Sequence, residues 1–132
     1  MPWLWRSVSN PAANAVLVDV RGVISQYLNK VFNVHGIYIA HNATSLKRYN
    51  VETFREGTNE TRYMFTITVP ANSLPFIMVS ESDPIIGAIG AFTGGYYEHF
   101  RIRAVDGGEP MVSIGLLLRG SWTFESGYDM YG

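Results

Sequence analysis

The chain has 132 residues, 47% of them hydrophobic and only 16% charged, so it fits one globular domain rather than a disordered segment. Its formal net charge of −1 gives it no general attraction to nucleic acid or anionic lipid. It contains no cysteine, which excludes disulfide bonds, thiolate metal sites and a cysteine nucleophile.

Residues 1–14 carry two tryptophans at alternate positions, Trp3 and Trp5, followed by serine, asparagine and proline, and we predict an N-terminal arm here. This start lacks the apolar core and cleavage site of a signal peptide. No apolar segment approaches the roughly 20 residues that span a bilayer. Residues 16–21 alternate, with three valines on one face, which predicts a strand.

Residues 23–32 change period, because their apolar side chains fall at helical spacing and Gly36 is suited to end a helix. The spacing predicts one short helix near 23–33. A bulged pair of strands is the alternative.

Beyond Gly36 the pattern is that of short strands separated by turns. Strands are predicted at 37–40, 49–55, 62–69, 74–79, 85–92, 96–105, 111–119 and 122–124. About eight short strands predict an all-β fold, an antiparallel β-sandwich of jelly-roll type. We predict a single domain over 15–125, followed by an aromatic tail at 126–132.

The stretch 84–95, PIIGAIGAFTGG, has no polar side chain before Thr93. A strand at 85–92 would be apolar on both faces, whereas a strand of an antiparallel sandwich normally shows one polar face to water. Its outer face therefore needs a cover, either from the same chain or from a neighbouring subunit. A membrane-inserting helix that begins after Asp83 is a third interpretation, which two glycines weaken.

Apolar residues of this stretch and tryptophans near both chain ends are predicted to form a subunit contact. They are Ile85, Ile86, Ile89, Phe92, Trp3, Trp5 and Trp122. Aromatic arms hold subunits together because each buries a large apolar area on a neighbour. Alternatively, the terminal aromatics cover the open ends of their own sandwich.

One face of the strand at 96–105 is a candidate ligand site. It carries Tyr97, His99, Arg101 and Arg103, while the even positions are mostly apolar. Guanidinium groups bind carboxylate or phosphate, and aromatic rings stack on sugars or bases. The alternative is a solvated face whose arginines pair with Asp or Glu of a neighbouring strand.

Motifs for metal binding and catalysis are missing. His35 and His41 have no carboxylate spaced to complete a metal site. The sequence has no G-x-S-x-G, no P-loop and no H-E-x-x-H. We predict no metal, no cofactor and no enzyme activity. An enzyme would have to use Glu81, Asp83 or Glu98 in a deep pocket.

Residues 75–79, the Gly/Ala-rich hairpin after them and residues 100–107 resemble the C-terminal half of small bacteriophage virion proteins. Those are cysteine-free all-β proteins of this size from tail or baseplate assemblies. The resemblance covers about half of the chain. It implies a virion location with assembly in the host cytoplasm, and it assigns no functional residue.

Low charge, apolar strands and aromatic ends are typical of a subunit of a larger assembly. We therefore predict a non-enzymatic structural protein of a multi-subunit particle, a phage tail or baseplate component. Its partners would be copies of itself and other structural proteins, without nucleic acid. The alternative is a carbohydrate- or receptor-binding module that binds a host-surface glycan through the candidate ligand face.

Overall fold

The computed structural model describes residues 3–22, 32–55, 59–72, 74–79, 98–120, 122–124 and 127–131. Within these ranges the chain forms strands and no helix. The strands are β1 (Trp3–Val8), β2 (Val16–Gly22), β3 (Phe32–His41), β4 (Lys47–Arg55), β5 (Glu60–Val69), β6 (Phe76–Val79), β7 (Glu98–Ala104), β8 (Val112–Gly120), β9 (Trp122–Phe124) and β10 (Asp129–Tyr131). The prediction of an all-β fold is confirmed.

Two antiparallel sheets of five strands pack face to face. Sheet A has the order β10-β1-β8-β3-β6, and sheet B has the order β5-β4-β7-β2-β9. The strand pairs are nested, because β1 pairs with β8, β2 with β7, β3 with β6 and β4 with β5. Successive nested pairs alternate between the sheets, which is the arrangement of a jelly roll, as predicted.

Both chain-end segments belong to sheet A. Strand β1, which lies within the predicted arm, pairs with β8 on one side and β10 on the other. Strand β10 lies within the predicted tail, and Tyr131 pairs with Trp3. Ladder hydrogen bonds therefore hold both segments against the sandwich.

Three predicted features fall wholly or mostly outside the described residues. Residues 23–31 of the predicted helix lie there, while Phe32 and Asn33 begin β3, so the helix does not reach residue 33. The apolar stretch 85–92 and Tyr97 also lie outside the described ranges.

The core lies between the two sheets and follows the predicted alternation of β7 and β8. Their inward side chains are at most 1% exposed: Phe100, Ile102, Ala104, Val112, Ile114, Leu116 and Leu118. Alternate residues of a strand point to opposite faces, so one apolar residue in two is enough to line this core.

Three β-bulges shift the register, in β2, in β3 between Val34 and Gly36, and in the β4–β5 pair. The first and the last of them change the faces that simple alternation predicts. In β2 the register shifts after Val16, and both Leu17 and Val18 are buried. The shift in the β4–β5 pair leaves Tyr63 57% exposed, although alternation places it beside Phe65 in the core. A bulge adds one residue to one strand and so reverses the alternation beyond it.

Four loops close one end of the sandwich, which we call the closed end. They join β1 to β2, β3 to β4, β5 to β6 and β7 to β8. Backbone bonds connect them: Gly108 N donates to the Pro11 carbonyl at 2.8 Å, and Asn72 N donates to the Ala43 carbonyl at 3.3 Å. The loops are therefore fixed relative to one another.

A buried acidic side chain lies inside the closed end. Glu109 is fully buried, and its Oε2 accepts a hydrogen bond of 2.8 Å from the hydroxyl of Tyr49, which is also buried. Burial, helped by the Glu109 carboxyl, raises the pKa of the Tyr49 phenol, which therefore keeps the proton it donates. Oε1 of Glu109 has no hydrogen-bond partner among the described residues.

Candidate functional site

The two sheets turn outer faces of opposite character to the surroundings. The outer face of sheet A, which we call the aromatic face, carries the following described side chains and glycines: Trp3, Trp5, Ser7, Gly36, Tyr38, Ala40, Ile77, Ser113, Gly115, Leu117 and Asp129. The outer face of sheet B, the ionic face, carries Asp19, Glu52, His99, Arg101 and Arg103 near its centre.

One row of residues runs in register across all five strands of sheet A. Asp129, Trp5, Gly115, Tyr38 and Ile77 face one another in that order, from β10 to β6. Three of the five are aromatic or aliphatic, and Ile77 is 59% exposed. An outer sheet face of this kind is unusual, because outward positions of an antiparallel sandwich are normally polar.

The indole of Trp5 is fixed in place from three sides. Its ring centroid lies 5.4 Å from that of Trp3 with an interplanar angle of 24°, and 5.0 Å from that of Tyr38 in an edge contact. Beneath it is Gly115, where an added Cβ would lie only 2.6 Å from Cζ3 of the indole. The glycine therefore leaves the space that the ring fills, and the ring is held before any ligand arrives.

Polar groups border these rings. Asp129 is exposed and pairs with Trp5 across β1 and β10. Next to the rings along β1 and β8, the hydroxyls of Ser7 and Ser113 are 3.0 Å apart. The rings thus form an apolar floor with hydrogen-bonding groups at its margins.

The ionic face is organised by carboxylates from the strands on either side of β7. His99 Nδ1 donates to Asp19 Oδ1 at 2.6 Å, and Arg101 Nε donates to Asp19 Oδ2 at 3.1 Å. Arg103 donates from Nε and Nη2 to Glu52 Oε1, at 3.0 and 2.8 Å. Each of these basic side chains is therefore already bonded to an acid of the same sheet.

Aromatic contact reinforces this face. The guanidinium of Arg101 lies 4.1 Å from the ring centroid of Phe54, and the His99 ring meets the same phenyl edge-on. Such cation–π contacts contribute about 0.5–2 kcal/mol. The charged side chains described for this face therefore interact with side chains of neighbouring strands.

The candidate ligand face of the sequence analysis is therefore partly resolved. The structure brings His99, Arg101 and Arg103 to one outer face, as predicted. It also shows the arginines paired with Asp19 and Glu52, the alternative considered for them. A ligand at this face would have to break ion pairs that the sheet supplies, so the face is better explained as a stabilising feature.

Asp19 is the acid whose protonation this arrangement opposes most. Burial is the largest single effect and raises the pKa of Asp19. The hydrogen bond and charge of His99, together with Arg101, lower this pKa by more in total, so it lies below the ordinary value of 3.8. Asp106, on the closed end, has its pKa lowered by the bond from Arg48.

We expect acid to weaken the fold through Asp19. A carboxyl whose folded-state pKa is lowered adds stability that is complete above 3.8 and is lost as the pH falls through the folded-state value. Asp19→Asn should lower the free energy of unfolding at neutral pH by about 1.5 kcal/mol, because a bonded charge is lost. Urea midpoints from neutral pH to about pH 2 should then fall less steeply than in the wild type. Equal slopes in acid would contradict this role.

The described histidines offer no metal site. His41 Nε2 donates to the Val69 carbonyl at 3.0 Å, and its Nδ1 accepts from Ala43 N at 3.1 Å, so both ring nitrogens are engaged. No group of three acidic or histidine side chains among the described residues is placed to hold a metal ion. Within the same ranges there is no helix long and apolar enough to cross a membrane.

The contact that fixes Trp5 was missed at the sequence level. The contact of Trp5 with Gly115 joins residues 110 positions apart, and only a knowledge of strand order would have revealed it. Trp122, predicted as a contact residue, lies in β9 of sheet B, whereas Trp3 and Trp5 lie in β1 of sheet A. Comparisons of the chain with protein-family models, with curated proteins and with solved structures find no match.

Proposed function

We propose that this chain is a non-enzymatic structural protein of a multi-subunit particle, and that the β6 edge of sheet A contacts a neighbouring copy. Among the described strands, β6 is the last of sheet A and pairs only with β3. An edge strand presents unpaired backbone N–H and C=O groups, which another strand can bind.

The chemistry of this edge supports a permanent partner. Residues 70–80 contain no charged side chain, and Leu74 and Ile77 are 86% and 59% exposed. Natural proteins protect free edges with charges, with bulges or with very short strands. Strand β6 is short but has no charge, so a neighbouring subunit is the natural cover for its apolar side chains.

The edge strand β5 of the other sheet is built differently. Strand β5 closes sheet B with Glu60 and Arg62 near its start, and its pair with β4 contains a bulge. Both features oppose edge-to-edge pairing. The contrast between β5 and β6 is the observation that favours one specific contact over general stickiness.

We propose that the particle is a phage virion and that the chain is a component of its tail or baseplate. The support is the resemblance of residues 75–79 and 100–107 to small virion proteins, together with a jelly roll, a fold used by viral capsid domains. The second support is an analogy at the level of the fold alone, and the fold also occurs in lectins.

The solution mass of the purified chain tests the contact. We expect light scattering to give a defined multiple of 14.8 kDa for the wild type and the single-chain mass for Ile77→Lys. The lysine adds a charge to an exposed outer position and leaves the core intact. Thr68→Lys, at an exposed position of β5, is the matched control and should keep the wild-type mass.

Two results would count against the proposed contact. A wild-type chain that is monomeric at all concentrations has no self-contact of this kind. An Ile77→Lys chain that keeps the wild-type mass places the contact elsewhere, with the stretch 85–92 as the next segment to mutate.

A further inference from the structure

We propose that the aromatic face binds a neutral saccharide, with Trp5 as the ring on which a sugar stacks. This inference concerns the rings of β1 and β3 and the polar groups of β8 and β10, and Trp5 lies three strand spacings from Ile77 of β6. It goes beyond the proposed structural role. A pyranose ring has an apolar C–H face and a rim of hydroxyl groups. The site needs an aromatic floor and hydrogen-bonding margins, and the aromatic face has both.

The floor is rigid and partly open. Trp3, Trp5 and Tyr38 are each half-buried, so the cluster is partly open to solvent. Contacts with its neighbours and with Gly115 fix the indole of Trp5, so little side-chain freedom is lost when a ligand stacks on it. Aromatic residues suit this purpose because they offer a large contact area with few rotatable bonds.

The margins select for hydroxyl groups. Asp129, opposite Trp5 in β10, offers carboxylate oxygens that accept hydrogen bonds from a diol. The Ser7 and Ser113 hydroxyls, 3.0 Å apart in the next row, can donate as well as accept. Among the described side chains of this face Asp129 is the only charged one, so an anionic sugar would be repelled rather than attracted.

The size of the ring cluster favours a small ligand over a protein. Its ring centroids lie 5.0 Å apart from Trp5 to Tyr38 and 5.4 Å apart from Trp3 to Trp5. A stable protein–protein contact needs roughly 800 Å² on each partner. The cluster is several times smaller than that and is bordered by polar groups, whereas one or two sugar rings fit it.

Titration of the full chain tests the proposal. The probes are cellohexaose and maltohexaose as neutral hexasaccharides, and an oligogalacturonic acid as the anionic counterpart. Binding is followed by tryptophan fluorescence and by calorimetry. We expect at least one neutral probe to bind and the acidic probe to bind more weakly.

The variants locate the site. Trp5→Ala should weaken binding about tenfold or more, as the loss of a stacked ring does. Gly115→Ala should also weaken it while the fold is kept, because the new Cβ displaces the indole from the outer side of the sheet. Asp129→Asn should reduce the affinity for saccharide although the aromatic rings of the floor are unchanged. Tyr63→Ala, an exposed tyrosine of sheet B, is the control and should bind as the wild type does.

Several results would overturn the proposal: no binding of either neutral probe, stronger binding of the acidic one, or unchanged affinity in folded Trp5→Ala and Gly115→Ala chains. Circular dichroism establishes folding of each variant. The outcome can be told apart from that of the proposed structural role, because solution mass reports on self-association and the saccharide titrations use variants of β1, β8 and β10. A monomeric chain that binds saccharide supports the saccharide site and contradicts the β6 contact. An oligomeric chain that binds no saccharide contradicts the saccharide site and leaves the β6 contact standing.

Discussion

Gly107→Ala is expected to destabilise the protein by about 3 kcal/mol or more, because two costs add at this position. The backbone of Gly107 has a φ of +73°, which L side chains rarely adopt. In addition, a Cβ there would lie 2.5 Å from Ala13 N and 2.7 Å from the carbonyl carbon of Ala12. Those are backbone atoms of the neighbouring loop, so the closed end would have to open.

The next residue separates these two costs. Gly108 also has a positive φ, +81°, but the nearest atom to its added Cβ is Lys47 Nζ at 3.9 Å. Gly108→Ala should therefore show only the cost of backbone strain, about 1 kcal/mol. Urea unfolding of both variants measures the difference. If both variants lose the same free energy of unfolding, the loop that carries residues 11–13 moves aside for the new Cβ without destabilising the protein.

Tyr49→Phe is expected to cost about 3 kcal/mol, which is large for the loss of a single hydroxyl. The phenol is the sole hydrogen-bond donor to the Glu109 side chain among the described residues, and both side chains are fully buried. Without it, neither carboxyl oxygen would have a described partner. A buried acid without a donor loses its hydration and gains nothing in exchange.

A second substitution should recover part of that loss. Tyr49→Phe combined with Glu109→Met removes donor and acceptor together and leaves an apolar site of similar volume. We expect the double variant to unfold at a higher urea concentration than Tyr49→Phe alone. Losses that simply add would instead mean that Glu109 stabilises the closed end through something other than the phenol.

The sequence predicts which residues face the core within an uninterrupted strand, but not which residues do so beyond a β-bulge. The faces of β7 and β8 follow directly from their apolar residues, because a period of two leaves one choice of inner face. Tyr63 is the counterexample, since nothing in the order of its neighbours signals the bulge that turns it outward. Most β segments were thus predicted, except β1 and β10, which lie within the predicted arm and tail, and single positions beyond a bulge were not.

The candidate sites depend on which strands are neighbours, and strand order is a property of the whole chain. His99, Arg101 and Arg103 were placed on one face from β7 alone, but their partners Asp19 and Glu52 come from β2 and β4. Glu109 was not recognised at all, because a glutamate in a Gly-rich turn is typical of an exposed loop. Its burial follows from four loops meeting at the closed end.

The nested strand order also determines when each strand can acquire a partner during synthesis on the ribosome. Strands β4 and β5 are consecutive and can pair as soon as residue 69 has emerged. Among the described strands β1 pairs with β8 and β10 alone, so Trp3 and Trp5 must wait for more than a hundred further residues. At about 5–20 residues per second that interval lasts roughly 5–20 s. For all of that time the two indoles of β1 have no sheet to lie on, and the nascent chain exposes them to any chaperone that binds aromatic side chains.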